Sequence, residues 1–472
     1  MLGACGGGSN DDGNPNEGQA SLNLDTSRLG SSGGFIDVNA DGFMDAIVGA
    51  PEATSRVNKT GAAVLFLGSE SGLSESVDAA LAGEGNGDFF GFSYANLGDV
   101  NSDGKNDFAI GAINAEGDAG ISGAVYVYKG GTFPPEMMLK LDGKNSFDKF
   151  GYAITGGDMN GDGVNDILVS SPYTFTEEFQ SGAVSIYFGG SNIDHDADVV
   201  IKGEKVNASI GQALATGDVN GDGIDDLIMD AHAKVFVYYG ATDIKTKIET
   251  DPTPDVKIRS DGGPHGGSGF GYTLAYAGDV DGDGFGDIAI GNPRRSAPSV
   301  YDNRGSFYLF KGGDNLPAEY FEDDEDYRIV KVIGAQIDDH FTSAITKIDD
   351  INDGGKPDFL IGADWADSGT EESERITGNV YLFHGEDLLV ADPAVELDIS
   401  SAVKSYPIEK NSAEFGKFVA VNNESMLSGS SGAEKHNGGI MLKNINSGSD
   451  EKVYNLNEVS VVADGHEDHS HH

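Results

Sequence analysis

The chain has 472 residues and a formal net charge of −48, from 78 acidic and 30 basic side chains, so it would repel a nucleic acid or an anionic membrane face. Its single cysteine excludes an internal disulfide framework and a cysteine-rich zinc site, and no apolar run approaches the ~20 residues of a membrane span. Glycine, at 69 residues, is about twice its usual share of ~7% and has no collagen-like period, which points to many tight turns.

Residues 1–19 contain Gly, Asn, Asp and Pro without apolar periodicity and read as a flexible tether. Within them Leu2, Gly3, Ala4 and Cys5 resemble the lipobox of a bacterial lipoprotein. That resemblance implies a lipid on Cys5, membrane contact through this anchor alone, and a place on the bacterial cell surface or outer membrane.

From residue 20 to 462 the chain repeats. Six segments of the type "TGGDMNGDGVNDILVSSP" begin acidic loops at Asp37, Asp99, Asp158, Asp218, Asp279 and Asp350, spaced 62, 59, 60, 61 and 71 residues apart. Upstream of each loop stands an apolar residue followed by glycine or its relic: Leu29-Gly30, Phe90-Gly91, Phe150-Gly151, Ile210-Gly211, Phe270-Gly271 and Phe341-Thr342. A seventh frame at Phe415-Gly416 keeps the pattern but has no acidic loop. Between these marks, short stretches alternate apolar and polar residues with period two, four per unit, which predicts half-buried antiparallel strands. Seven four-stranded sheets cannot bury both faces alone, whereas radial stacking covers them, so the expected fold is all-β: a seven-bladed β-propeller with calcium-binding loops. An N-terminal strand in 20–27 is expected to close the ring by joining the seventh blade, with 451–462 competing for that place.

The acidic loops follow Asp-x-Asn-x-Asp-Gly-x-x-Asp. Oxygen ligands fall at positions 1, 3, 5 and 9, a backbone carbonyl is available at 7, and glycine at 6 permits the sharp turn calcium requires. The sets are Asp37, Asn39, Asp41, Phe43 and Asp45; Asp99, Asn101, Asp103, Lys105 and Asp107; Asp158, Asn160, Asp162, Val164 and Asp166; Asp218, Asn220, Asp222, Ile224 and Asp226; and Asp279, Asp281, Asp283, Phe285 and Asp287. Position 12, where an EF-hand carries glutamate, holds Val48, Ile110, Val169, Met229 and Ile290, so these are strand-to-strand turns. About five Ca2+ ions are expected. The sixth loop, Asp350, Asn352, Gly354 and Asp358, has moved one carboxylate to Asp353 and is expected to bind weakly or not at all.

The Phe-Gly and Gly-Ala-Pro elements, as at 150–151 and 49–51, resemble the FG-GAP repeat of integrin α-subunit propellers and their bacterial relatives, over roughly residues 20–450. The resemblance implies calcium loops on one face of the disk and a protein or glycan ligand on the other, bound as a monomer in adhesion or recognition. It places the ligand-side loops at 51–60, 112–122, 172–181, 292–304, 363–377 and 428–438. Two of these carry Arg294, Arg295, Tyr301 and Arg304, and the sole tryptophan, Trp365; arginine and aromatics are common interface anchors. The alternative function is a secreted polysaccharide-active enzyme on the same scaffold, and a passive surface scaffold is a third reading. No catalytic set emerges: the string Gly30-Ser31-Ser32-Gly33-Gly34 lies in a strand, and the internal histidines share no loop position. Residues 463–472 form a His-rich tail, expected to be disordered.

Overall fold

The structure, a computed structural model, describes residues 19–23, 28–55, 59–117, 120–176, 179–203, 209–260, 269–294, 303–334, 339–366, 378–389, 395–407, 415–422, 425–430, 439–445, 452–454 and 458–462. Each sixty-residue unit folds into one antiparallel sheet of four sequential strands. The seven sheets, numbered here as blades 1 to 7, span 33–82, 90–142, 154–202, 214–259, 273–333, 341–407 and 415–454. The first strands touch one another all round the ring and are therefore innermost. The protein is a seven-bladed β-propeller.

The second strands depart from the half-buried expectation. Asp45–Ala50, Asp107–Ala112, Asp166–Ser171, Asp287–Asn292 and Asp358–Ala363 are buried at every residue. Each is sandwiched between the neighbouring blades, so both of its faces are interior. Farther out the alternation returns, as in Val199–Lys202, which alternates buried and exposed residues. Among the described residues the apolar core divides into seven clusters, one at every blade interface, and Leu427 and Ile440 of blade 7 join Val48 and Val64 of blade 1 in one of them. Sheet packing thus closes the ring.

The competing segment 451–462, not the N-terminal strand, completes blade 7. Lys452–Tyr454 supplies the fourth strand of blade 7, and Gln19–Asn23 pairs instead with Glu458–Val462 and with Thr54–Ser55 in a separate three-stranded sheet. Two further strands were not anticipated. Glu319–Phe321 and Glu396–Asp398 leave blades 5 and 6 to add parallel fifth strands to the outer edges of blades 4 and 5, fastened by the ion pairs Arg259–Glu319 and Lys331–Glu396. Covering an edge strand removes a template for intermolecular pairing.

Hydroxyl groups stitch successive blades near the axis. Ser32 donates to the Gly91 carbonyl (2.9 Å), Ser93 to Gly151 (2.6 Å), Thr273 to Thr342 (2.8 Å) and Ser343 to Gly416 (3.0 Å). The acceptor is always the second residue of the next blade's Phe-Gly pair. This residue adopts a left-handed backbone, with φ of 87° at Gly91 and 86° at Gly151, and a Cβ on Gly91 would lie 2.1 Å from the Ala62 carbonyl oxygen. In blade 6 the glycine is replaced by Thr342, which holds φ at 78° while fully buried. A β-branched residue there is strained by about 1–2 kcal/mol, and its hydroxyl makes only a long bond to the Ser306 carbonyl, 3.3 Å. Thr342→Gly is therefore expected to raise the unfolding midpoint by about 1 kcal/mol of stability, measured by denaturant titration; an equal or lower midpoint would show that the threonine is not strained.

Candidate functional site

Each acidic loop joins the first strand of its blade to the second, so all six lie at one end of the ring. The turn is built by side chains accepting from their own backbone. In all but the fifth loop the position 1 aspartate accepts from the N–H of positions 5 and 6, as Asp37 does from Asp41 (3.1 Å) and Gly42 (2.9 Å); in the fifth, Asp279 accepts from Gly282 and Gly284 and the Asp283 N–H turns to Asp281. Position 5 accepts from position 7, as Asp162 does from Val164 (2.9 Å). Glycine at position 6 is required by the left-handed turn, with φ of 84° to 97° at Gly42, Gly104, Gly163, Gly223 and Gly284.

The position 9 carboxylates, Asp45, Asp107, Asp166, Asp226 and Asp287, are 0% exposed. Each accepts one N–H from position 2 of its loop and one from the glycine after the third strand, as Asp226 does from Val219 (2.8 Å) and Gly240 (2.9 Å). Burial pushes these acids up, with repulsion from the aspartates at positions 5 and 1, or in the fifth loop from Asp281 at position 3, adding to it: Asp107 to about 6, Asp166, Asp226 and Asp287 to about 7, and Asp45 in the same direction. In the fifth loop, carboxylate oxygens of Asp279, Asp281 and Asp283 lie within 4.8 Å of one another, and Lys311 stands 3.5 Å from Asp281. Oxygen donors alone, crowded and disfavoured as anions, fit a hard divalent cation such as calcium and offer nothing that zinc prefers.

Neighbouring loops also touch. The position 7 side chains Ile224 and Phe285 pack over Gly161 and Gly221, at position 4 of the preceding loop, while Asp225 accepts from the Asp158 N–H (2.9 Å). The sixth loop keeps the same fold, with Asp350 accepting from Gly354 and Gly355 and Asp358 from Ile351 and Gly385. Its missing carboxylate has a spatial stand-in. Glu386, in the short helix Gly385–Leu388, places both carboxylate oxygens within 2.6 Å of where a Cβ on Gly354 would be and accepts from Asn352. Sequence reading missed Glu386 because it lies 32 residues beyond the loop position it fills.

At the opposite end of the same strands a cavity of about 240 Å³ opens. Arg28 comes from blade 1, Tyr272 and Arg294 from blade 5, His340 and Trp365 from blade 6, and Lys417 from blade 7. Blades 1 and 5 are not neighbours, so the cavity lies at the ring's axis. Arg294 stands over the Tyr272 ring at 5.5 Å and the His340 and Trp365 rings stack at 4.6 Å. Buried Asp364, also in the lining, lies 3.7 Å from Lys417 and 3.4 Å from His340. Of the sequence-derived ligand residues, Arg294 and Trp365 are brought together here. Arg304 lies outside the cavity lining, while Arg295 and Tyr301, like Cys5 and the His-rich tail, fall outside the described residues. Arg28, Tyr272, His340 and Lys417 were missed, although each directly flanks the Phe-Gly element of its frame.

The comparisons with known proteins agree with this architecture. The FG-GAP repeat model matches residues 29–66, 150–187 and 270–310, which are the inner three strands of blades 1, 3 and 5 with their acidic loops. Integrin alpha-PS5 of Drosophila melanogaster is 30% identical over 176 residues, covering 35% of this chain and 17% of that protein. The chain carries FG-GAP repeats and is an integrin-α-like propeller. Integrin alpha-7 of Rattus norvegicus is 34% identical over 164 residues, 34% of this chain and 14% of the relative. Phosphatidylinositol-glycan-specific phospholipase D of Bos taurus is 29% identical over 219 residues, 42% of this propeller and 26% of that enzyme. The propeller thus spans about a quarter or less of the length of these relatives.

The raised acids give a pH dependence. A carboxyl whose folded pKa is about 7, above an unfolded value near ~3.9, takes up its proton earlier when folded. In calcium-free buffer stability should therefore rise as pH falls from 8 through 7 towards 5. Thermal melts across that range check it, and a midpoint falling steadily from pH 8 to 5 would contradict it.

Proposed function

We propose that this FG-GAP propeller is a calcium-stabilised recognition module that works outside the cell, binding a protein or glycan on the face opposite its acidic loops. Positions 1, 3, 5 and 9 of the first five loops, with the position 7 carbonyls, would hold the ions. Bound calcium supplies positive charge and rigidity; it takes no part in a reaction. Millimolar extracellular calcium and the charge of −48 favour an exported chain, and a lipid on Cys5 would tether it to a bacterial surface as a monomer.

The observation that carries this reading is the division of the disk: acid-lined turns at one end of six of the seven inner strands, and at the other a cavity lined by arginine, lysine and exposed aromatic rings. Preformed concave sites with a few convergent polar groups are the usual places of ligand binding. The integrin-α-like repeats support an adhesive or recognition role.

A glycan and protein array probed with the calcium-loaded chain and with the chelated chain tests it. Saturable binding that needs calcium and leaves the ligand intact is expected. A hydrolytic reading has the phospholipase D relative behind it, and release of cleaved product from any arrayed glycan would favour that reading over recognition.

A further inference from the structure

We propose that the axial cavity binds a single negatively charged sugar residue, carboxylated or sulfated, with Arg294 as the primary anion contact and Tyr272 and Trp365 as the faces against which the sugar ring lies. This deepens the recognition reading and rests on it.

The charge at the mouth is inverted relative to the chain. Among the described lining residues three cations, Arg28, Arg294 and Lys417, share the cavity with one carboxylate, Asp364, in a protein of net charge −48. Asp364 is already engaged by Lys417 and His340, and Arg28 lies 3.6 Å from Glu52. Arg294 has no carboxylate within 4 Å among the described residues; it is exposed and held over Tyr272. A guanidinium held over a ring by a cation–π contact still has its N–H fork to offer, and that fork takes a carboxylate or sulfate through two parallel N–H bonds.

Distance decides whether the acidic loops forbid an anion here. Six strand residues at ~3.3 Å each set the loops roughly 20 Å away, more than twice the ~8 Å Debye length at physiological salt. Their repulsion is therefore screened at the mouth, while the contact with Arg294 is not. Size and shape narrow the ligand further. A volume of about 240 Å³ is below the ~300–1,000 Å³ of drug-sized sites, which suits one residue of a longer chain. Tyr272 and Trp365 remain 36% and 40% exposed, so the parts of their rings that Arg294 and His340 leave uncovered are available at the opening. An acidic peptide would satisfy the arginine but has no use for two exposed ring faces.

Calorimetric titration of the calcium-loaded full chain provides the test. The probes are a uronic-acid trisaccharide, its methyl ester, a sulfated trisaccharide, a neutral trisaccharide and a glutamate-rich peptide. The uronate or the sulfated sugar should bind at least tenfold more tightly than the ester, the neutral sugar and the peptide, and the arm that binds names the charged group. Arg294→Ala should weaken that binding at least tenfold and Trp365→Ala by a similar factor, while Lys245→Ala, in the helix Ile244–Thr250 that joins the third and fourth strands of blade 4 at the acidic-loop end, leaves it unchanged. Arg294 is exposed, so its variant should melt with the parent. Equal binding of acid and ester, preference for the peptide, or indifference to Arg294→Ala would overturn the assignment. If the chain nonetheless captures a neutral glycan or a protein on the array, recognition stands and only the axial site falls; if nothing on the array binds, both readings fall.

Discussion

Electrostatic crowding in the turns between first and second strands is the constraint on which the rest of this propeller depends. Five loops hold sixteen carboxylates at their ligand positions, and in each the innermost, at position 9, is buried at the root of the second strand. That carboxylate fixes the turn, bonding to the loop on one side and to the end of the third strand on the other, so it cannot move away from its neighbours. Burial and repulsion then raise its affinity for protons, which is the chemical sign of a place prepared for a positive charge. A bound cation would relieve a strain that the fold itself creates, stabilising each site by about 2.7 kcal/mol at a hundredfold excess over the dissociation constant.

The same strands carry that constraint to the rest of the ring. Asp166 opens a strand whose every residue is buried between two blades, and at the far end of its blade the Phe-Gly element meets the hydroxyl of Ser93 from the blade before. Fixing the loop end of a strand therefore fixes the register of its opposite end, where the axial cavity lies. Loops and cavity are two ends of one rigid element, which is how bound cations at one end would steady ligand geometry at the other without a moving part.

Seven frames, four strands in each, and the loop positions were legible in the sequence because they are local: Asp158 and Asp166 are eight residues apart, and Phe150-Gly151 opens the same unit. What was not legible depends on contacts between blades. Ser343 reaches Gly416 across 73 residues and Ser93 reaches Gly151 across 58. Glu386 fills a gap in a loop it does not belong to, and Glu319–Phe321 extends a sheet that is not its own. The N-terminal strand misled for a related reason. Both 19–23 and 458–462 have strand character, yet Lys452–Tyr454 had already completed blade 7, and they pair with each other instead. The cavity followed this pattern: Arg294 and Trp365 stood out by composition, whereas Arg28, His340 and Lys417 acquire meaning only when four frames converge on one axis.

The most direct test is a pair of thermal melts at neutral pH, one with calcium saturating and one after exhaustive chelation, with bound metal counted by elemental analysis. About five calcium ions per chain and a clearly lower melting temperature after chelation are the predicted result. An unchanged melting temperature, together with no calcium in the purified protein, would contradict the claim that cations neutralise the buried aspartates and hold the ring together.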